Sequence, residues 1–251
     1  MNMTHAKQNE GICSYLGWDS QFFGKRIARL NRKRLPEADV SQMLMWCTER
    51  DIDCLYFLAD SADARTSRLA EQNGFALVDL RVTFESEVGD EHRLSSGPAD
   101  HTRPACQQDA ETLRRMAGLL HRDTRFYFDE HFERSKCDLL YETWIDKSLN
   151  SSDQTVFVAE AADQVAGYVS CQIDGEESRV GLLGVAEANA RTGLGTALMK
   201  RFLAWSAEQG ARRATVVTQG RNVAAQRLYQ RCGFHTSSVQ HWYHRWRVRE
   251  S

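Results

Sequence analysis

The feature that most restricts the fold is an apolar segment that leads, through a loop with two glycines, straight into a helical pattern. Arg179 to Ala186 (RVGLLGVA) predicts a short strand, and Gly193 to Gln209 has apolar residues at helical spacing. A second strand follows at Ala214 to Thr218 (ATVVT), and then a second helix from Val223 to Arg231. This alternation of strands and helices predicts an α/β fold.

Two helices and a hairpin precede this core. Gln108 to Leu120 and Asp138 to Lys147 have helical spacing of apolar residues. Thr155 to Glu160 and Gln164 to Ile173 read as an antiparallel pair of strands, and Gln240 to Trp246 reads as the last strand. We therefore expect a mixed central sheet with helices on both of its faces.

A polar segment, Glu85 to Pro104, holds two of the three prolines and predicts a linker. It divides the chain into an N-terminal domain, 1–95, and a second domain, 96–251. Placing Gly74 on Gly233 gives an offset of 159, at which Trp46 matches Trp205 and the CLYFLA and RATVVT segments coincide. The first domain is then a degenerate copy of the second, unless two amphipathic helices align by chance.

Composition excludes several classes of function. Lysine and arginine number 32 against 34 acidic residues, so no positive field favours nucleic acid or an anionic membrane surface. The seven cysteines are scattered without a CxxC pair and predict reduced thiols. The first residues, MNMTHAKQNE, contain no apolar signal region, and no run of about 18 apolar residues occurs. We expect a cytoplasmic protein, without membrane insertion, that acts on a small molecule.

The glycine loop predicts an anion site. In ARTGLG, Ala190 to Gly195, the glycines let backbone approach a ligand, and the free N–H groups and dipole of the following helix attract negative charge. Arg191 and the hydroxyls of Thr192 and Thr196 can add donors. The dinucleotide pattern GxGxxG fails because Leu198 occupies its third glycine position, and no GxxxxGK[ST] is present.

A second motif lies about thirty residues on, in GRNVAAQRLYQRCGF, where Asn222 and Tyr229 fall on one face of a helix. With the glycine loop, it resembles the GCN5-related N-acetyltransferase (GNAT) superfamily, which has a Q/R-x-x-G-x-G/A loop and then N-x-x-A-x-x-x-Y-x-x-x-G-F. The matching residues are Asn222, Ala225, Tyr229, Gly233 and Phe234. Ala190 departs from the pattern, and this leaves phosphate binding to backbone N–H groups and Arg191.

The resemblance implies the GNAT fold, acetyl-CoA as co-substrate, no metal and an amine acceptor. The cofactor-binding residues that it implies are Leu183, Gly184, Val185, Arg191, Thr192, Gly193, Leu194, Gly195, Thr196, Asn222 and Ala225. Tyr229 is the implied catalytic acid for the leaving thiolate, with core packing as the alternative. No carboxylate lies within RVGLLGV to act as a base, and this absence favours an amine of modest basicity.

The whole chain also resembles bacterial enzymes that N-acetylate a nucleotide (TDP)-linked 4-amino-4,6-dideoxy sugar. Four stretches carry this likeness: GWDSQFFG, RFYFDEHF, VGLLGV and HWYHRW. It implies substrate binding by Arg125, Phe126 and Tyr127, which would hold a diphosphate and stack a base, with local packing as the alternative. Other hypotheses are acetylation of an antibiotic or polyamine, and a non-catalytic acyl-CoA-binding module. Whether the chain forms a homodimer also remains an open alternative. His241 and His244 are three apart on a strand, so they do not predict a metal site.

Overall fold

The computed structural model describes residues 11–94 and 101–248. The strands are β1 Cys13–Tyr15, β2 Ile27–Leu30, β3 Cys54–Asp60, β4 Ala76–Glu87, β5 Thr102–Pro104, β6 Gln154–Ala161, β7 Gln164–Asp174, β8 Glu177–Val185, β9 Arg213–Gln219 and β10 His235–Trp246. The helices are α1 Gly17–Phe23, α2 Glu37–Glu49, α3 Ala64–Gln72, α4 Asp90–Leu94, α5 Ala110–Leu120, α6 Arg125–Phe128, α7 Arg134–Asn150, α8 Leu194–Glu208 and α9 Val223–Arg231. No helix in these described ranges is long and apolar enough to cross a membrane.

The chain forms two compact units. The first unit comprises Met1–Arg81, Thr124–Phe132 and Val239–Ser251, and the second comprises Val82–Asp123 and Glu133–Ser238. This division differs from the predicted domains 1–95 and 96–251, since two later segments belong to the first unit. The reason is packing: Phe126 and Phe132 lie against Phe23, with ring centroids 5.4 and 4.6 Å away, and the end of β10 pairs with β3.

The first unit is built on a small sheet. β1 pairs with β2 in antiparallel fashion, β2 runs parallel to β3, and β3 pairs antiparallel with β10 from Gln240 to Trp246. Its apolar core joins the sheet to α2 and α3, and it includes Met43, Phe57, Ala70 and Tyr243. Burial of these side chains supplies the main driving force for folding of this unit.

The second unit has the strand order β4, β9, β8, β7, β6, β5, with the β8–β9 pair parallel and the β7–β8 and β6–β7 pairs antiparallel. α8 packs on the face that carries Val169 and Cys171, and its own Leu198 and Phe202 belong to the same core. Alternate residues of a strand face opposite sides, so Tyr168 faces the other side, where α5 and α7 pack. The expected mixed sheet with helices on both faces is confirmed.

The predicted linker, Glu85 to Pro104, is wrong at both ends. Glu85 to Glu87 finish β4, in which Phe84 and Ser86 are buried, and Thr102–Pro104 form β5, paired with β6. The middle of the segment, 95–100, lies outside the described residues. Polar composition misled the prediction because one face of β4 carries charged side chains. β10 begins at His235, five residues before the predicted start at Gln240. The prediction missed these residues because they are mostly exposed and polar.

The internal repeat has a structural counterpart. At the offset of 159, the bounds of β3 coincide with those of β9, those of α3 with those of α9, and those of β4 with those of β10. The helix caps correspond too, since Asp63 accepts the Arg65 N–H at 3.1 Å and Asn222 accepts the Ala225 N–H at 3.0 Å. This agreement supports a degenerate structural copy, with buried Ala70 at the position of Tyr229.

Candidate acetyl-transfer site

Two parallel strands of the second unit separate towards their carboxyl ends. The ladder between β8 and β9 joins Glu177–Arg179 to Arg213–Thr215, while β8 continues to Val185 and β9 to Gln219. A β-bulge accompanies the separation, because the pairing of β8 with β7 shifts between Val169 and Cys171. The Leu182 N–H at the bulge donates to Ser170 Oγ at 2.8 Å. The diverging edges offer backbone groups to an extended ligand.

The loop after β8 brings the start of α8 to this end of the sheet. Arg191 and Gly193 both have left-handed backbone, with φ of 64° and 97°, so the chain turns sharply before the helix. The first bond of the helix joins the Ala197 N–H to the Gly193 carbonyl. The N–H groups of Leu194, Gly195 and Thr196 therefore have no acceptor within the helix, which is the arrangement of an anion site.

The predicted loop residues differ in what they can offer a ligand. Arg191, Thr192 and Gly193 are exposed, whereas Leu194 is buried in the core. The Thr192 hydroxyl donates to the Asn189 carbonyl at 2.7 Å, so its proton is used within the turn. A Cβ at Gly195 would lie 3.1 Å from Leu228 Cδ2, so glycine lets α8 and α9 approach closely.

α9 places the second motif in the same core. Asn222 caps α9 through the bond to Ala225, so its side chain is directed to the helix itself. Tyr229 is 5% exposed, and its ring lies 5.7 Å from that of Phe84 and 6.4 Å from that of Phe234. Leu183, Val185, Ala225 and Leu228 pack against the cluster that contains Tyr229 and Leu194. The structure thus brings the predicted residues of β8, α8 and α9 together.

The Tyr229 hydroxyl is available as a proton donor. Burial raises the pKa of this phenol above its usual value, with the nearby Cys232 thiol acting in the same direction. The hydroxyl therefore stays protonated at neutral pH. It has no hydrogen-bond partner among the described residues, although its ring is packed. This combination fits a group that holds a proton for a charge that develops beside it.

Sequence reasoning missed a second polar group, on the opposite face of the sheet. His121, just after α5, has its Nε2 atom 2.7 Å from the Tyr168 hydroxyl, and its ring stacks on Tyr141 at 4.9 Å. Tyr168 pairs with Gly184 in β8, and a Cβ at Gly184 would lie 3.2 Å from Tyr168 Cζ. The Tyr168 ring therefore lies directly over Gly184, one of the predicted cofactor residues.

The proton positions in this pair follow from burial. Burial lowers the pKa of His121 to about 4 and raises that of Tyr168 above its usual value, so both groups are neutral at pH 7. The Tyr168 hydroxyl then donates to Nε2, and the imidazole proton lies on Nδ1. No sequence signal connected these residues, since they are 47 positions apart on elements of different type.

The predicted substrate residues lie in the first unit. Arg125 is partly buried, whereas Phe126 and Tyr127 are only 4% and 8% exposed. The Phe126 ring packs against Phe23 and Phe132, which fits the local-packing alternative for this residue.

His241 and His244 face different surroundings, as their spacing predicts. His241 pairs opposite Ala59 and lies 3.3 Å from Ser67 Oγ, while buried His244 bonds Asp129. Among the described residues, no three His, Cys, Asp or Glu side chains are grouped so that they could hold a metal ion.

Comparison with known proteins agrees with this geometry. Residues 115–234 match the model of the acetyltransferase (GNAT) family. The spore coat polysaccharide biosynthesis protein SpsD of Bacillus subtilis is 25% identical over 245 residues, which cover 93% of this chain and 82% of that protein.

Solved structures share the fold at low sequence identity. A functionally unknown conserved protein from Staphylococcus epidermidis has a TM-score of 0.70 at 15% identity, over 99% of this chain and 96% of that one. A GCN5-related N-acetyltransferase from Sphaerobacter thermophilus has a TM-score of 0.65 at 12% identity, over 93% of this chain and 76% of that one. The architecture of the chain is therefore that of GNAT proteins.

Proposed function

We propose that this chain, of which residues 115–234 match the acetyltransferase (GNAT) family, is an acetyl-CoA-dependent N-acetyltransferase that acetylates a nucleotide-linked 4-amino-4,6-dideoxy sugar for surface-polysaccharide synthesis. The main support for acetyl transfer is the separation of β8 from β9 beside the free N–H groups at the start of α8. The Tyr229 side chain lies in the same apolar cluster as Leu194, the first residue of that helix. The likeness to SpsD supports polysaccharide chemistry for the acceptor.

The residues at this site fit acetyl-CoA, which supplies the acetyl group as an activated thioester. The free N–H groups of Leu194, Gly195 and Thr196, with exposed Arg191, suit its pyrophosphate. The edge of β8 from Leu183 to Val185 suits its extended amide-containing arm, because unpaired strand edges bind such segments through backbone hydrogen bonds. Asn222 and Ala225 act through the cap that fixes the start of α9.

Tyr229 has the role of acid. A thiolate leaves when the acetyl group is transferred, and it needs a proton. The buried Tyr229 hydroxyl holds one at neutral pH and has no competing partner among the described residues. Its position in the cluster of Leu183 and Val185 places it on the α8 side of the sheet.

On the other face, we propose that Tyr168 and His121 take the proton that the amine releases. The nitrogen becomes far more acidic once it bonds to the acyl carbon, so a weak base suffices. The Tyr168 oxygen accepts this proton while its own proton passes to His121 Nε2, 2.7 Å away. The low pKa of His121, about 4, keeps Nε2 free to accept across the neutral range.

The test is thiol release from acetyl-CoA with a panel of amines. We expect turnover with TDP- or UDP-linked 4-amino sugars and little with polyamines or aminoglycosides. Turnover of only the latter amines would refute the sugar acceptor. Binding of acetyl-CoA without thiol release for any amine would instead indicate an acyl-CoA-binding module.

The role of Tyr229 is tested by Tyr229→Phe, which keeps the ring in the Phe84 and Phe234 contacts. We expect kcat to fall by roughly 100-fold, with coenzyme A binding retained. Tyr243→Phe is the control, because this hydroxyl bonds Glu71 in the first unit. Unchanged kcat in Tyr229→Phe would show that another group is the acid.

A further inference from the structure

Strand β8 is covered closely on one face at Gly184. A Cβ at this position would lie 2.9 Å from Leu120 Cδ1 and 3.0 Å from Tyr168 Cε1, which is closer than side chains normally approach one another. Leu120 is the last residue of α5, and Tyr168 pairs with Gly184 across the β7–β8 ladder. Glycine therefore lets two large side chains contact the backbone of β8 in the part of the strand that β9 no longer pairs with.

One of these two side chains is held in place by further contacts. Tyr168 is fully buried, its hydroxyl lies 2.7 Å from His121 Nε2, and the His121 ring stacks on that of Tyr141. Movement of the Tyr168 ring away from Gly184 would break these contacts. Leu120 is only half-buried, and it contacts the strand through an apolar methyl group. The size of Leu120 therefore decides how much space is left on this face of β8.

The proposed reaction brings the acyl carbon of the cofactor next to this space. The thiolate leaves towards Tyr229 on the α8 side of the sheet, and the amine approaches on the side of Tyr168, so the acyl carbon lies beside the β8 backbone between them. The α8 side is filled by an apolar cluster that includes Leu183, Val185 and Tyr229. Any carbons beyond acetyl therefore have to extend on the α5 side, where Leu120 lies.

We propose that Leu120 limits the transferred acyl group to acetyl. Its side chain, packed beside the fixed Tyr168 ring, closes the space over Gly184, so a propionyl or butyryl group would have to displace it. In an apolar pocket, one additional methylene changes specificity by roughly 10- to 200-fold. This role rests on the proposed transfer from an acyl-CoA, but it does not depend on which amine accepts the group.

The experiment compares acetyl-, propionyl- and butyryl-CoA in the full-length wild type and in Leu120→Ala. Calorimetry gives the dissociation constant of each thioester without an acceptor, and thiol release with the most active amine gives kcat/KM. We expect the wild type to favour acetyl over butyryl by roughly ten-fold or more, and Leu120→Ala to reduce this preference by a similar factor. Leu119→Ala is the matched control, because Leu119 is the neighbouring leucine of α5 and is 57% exposed. It should keep the wild-type preference.

Two milder variants separate the size of the pocket from the stability of the fold. Leu120→Val removes one carbon and should admit propionyl more readily than butyryl, whereas Leu120→Met keeps the volume and should keep the preference for acetyl. An unchanged preference in folded Leu120→Ala and Leu120→Val would overturn the proposal, as would equal use of all three thioesters by the wild type. Size-selective binding that Leu120→Ala abolishes, in a protein that acetylates no sugar nucleotide, would refute the proposed acceptor and leave this role of Leu120 standing.

Discussion

Lowering the pH from 7 to 5 should destabilise the protein through His244. This side chain is 1% exposed, and burial lowers its pKa from 6.5 to about 4, with the hydrogen bond to Asp129 opposing the shift. In the unfolded chain the imidazole titrates near 6.5. Unfolding therefore takes up a proton between these two values. The stability that the neutral imidazole supplies is complete above 6.5 and is lost as the pH falls towards 4.

The magnitude follows from the two pKa values. At pH 5 an unfolded histidine carries about 1 proton, whereas folded His244 carries about 0.1, and integration from pH 7 to pH 5 gives a loss of about 2 kcal/mol in the free energy of unfolding. His121 acts in the same direction, since its pKa is also lowered to about 4. Asp19 acts in the opposite direction. Burial raises its pKa, so protonation at lower pH removes the free-energy cost of burying a charged carboxylate.

Urea unfolding at pH 7 and pH 5, followed by far-ultraviolet circular dichroism and tryptophan fluorescence, measures this loss. His244→Gln removes the titration, so its loss between the two pH values should be smaller than that of the wild type by about 2 kcal/mol. His235→Gln is the control, since His235 is exposed. Equal losses in the wild type and His244→Gln would refute the reasoning.

Variants at three further positions test the second unit. Tyr168→Phe should lower kcat by roughly 100-fold and leave the KM for acetyl-CoA nearly unchanged, as measured by thiol release; a normal kcat would exclude the proton path to His121. Gly195→Val should raise the KM for acetyl-CoA, because its Cβ would lie 3.1 Å from Leu228 and displace the start of α8; an unaltered KM would contradict this. Asn222→Ala removes the cap of α9 and should lower the free energy of unfolding by about 1 kcal/mol, as measured by urea titration. Asn222→Asp keeps a capping oxygen and should lower it much less.

Local signals predicted the acetyl-transfer region well. α9 has the predicted bounds, because an asparagine cap and a following glycine delimit it in the sequence. The strand, glycine loop and helix that lead into α8 were likewise readable, since each depends on neighbouring residues. The meeting of β8, α8 and α9 followed from the motif resemblance, and the structure shows them sharing one core.

Contacts between residues far apart in the chain could not be predicted from the sequence. His121 meets Tyr168, and Arg125 meets His244, 119 positions away, through contacts that leave no periodic trace in the sequence. The predicted domains 1–95 and 96–251 differ from the two compact units for the same reason, because the units depend on which distant strands pair. The polar start of β10 was missed because exposed strand residues lack the apolar alternation by which strands are recognised.

The C-terminal part of β10 belongs to the first unit, and this has a consequence for truncated chains. A chain cut after Ser238 keeps every residue proposed to bind acetyl-CoA, yet it removes the strand whose Gln240–Trp246 ladder covers β3 from Asp60 to Cys54. The apolar strand CLYFLAD would then present unpaired N–H and C=O groups, which recruit other strands. Such a fragment should aggregate through its N-terminal half, so solubility during expression depends on residues 239–251.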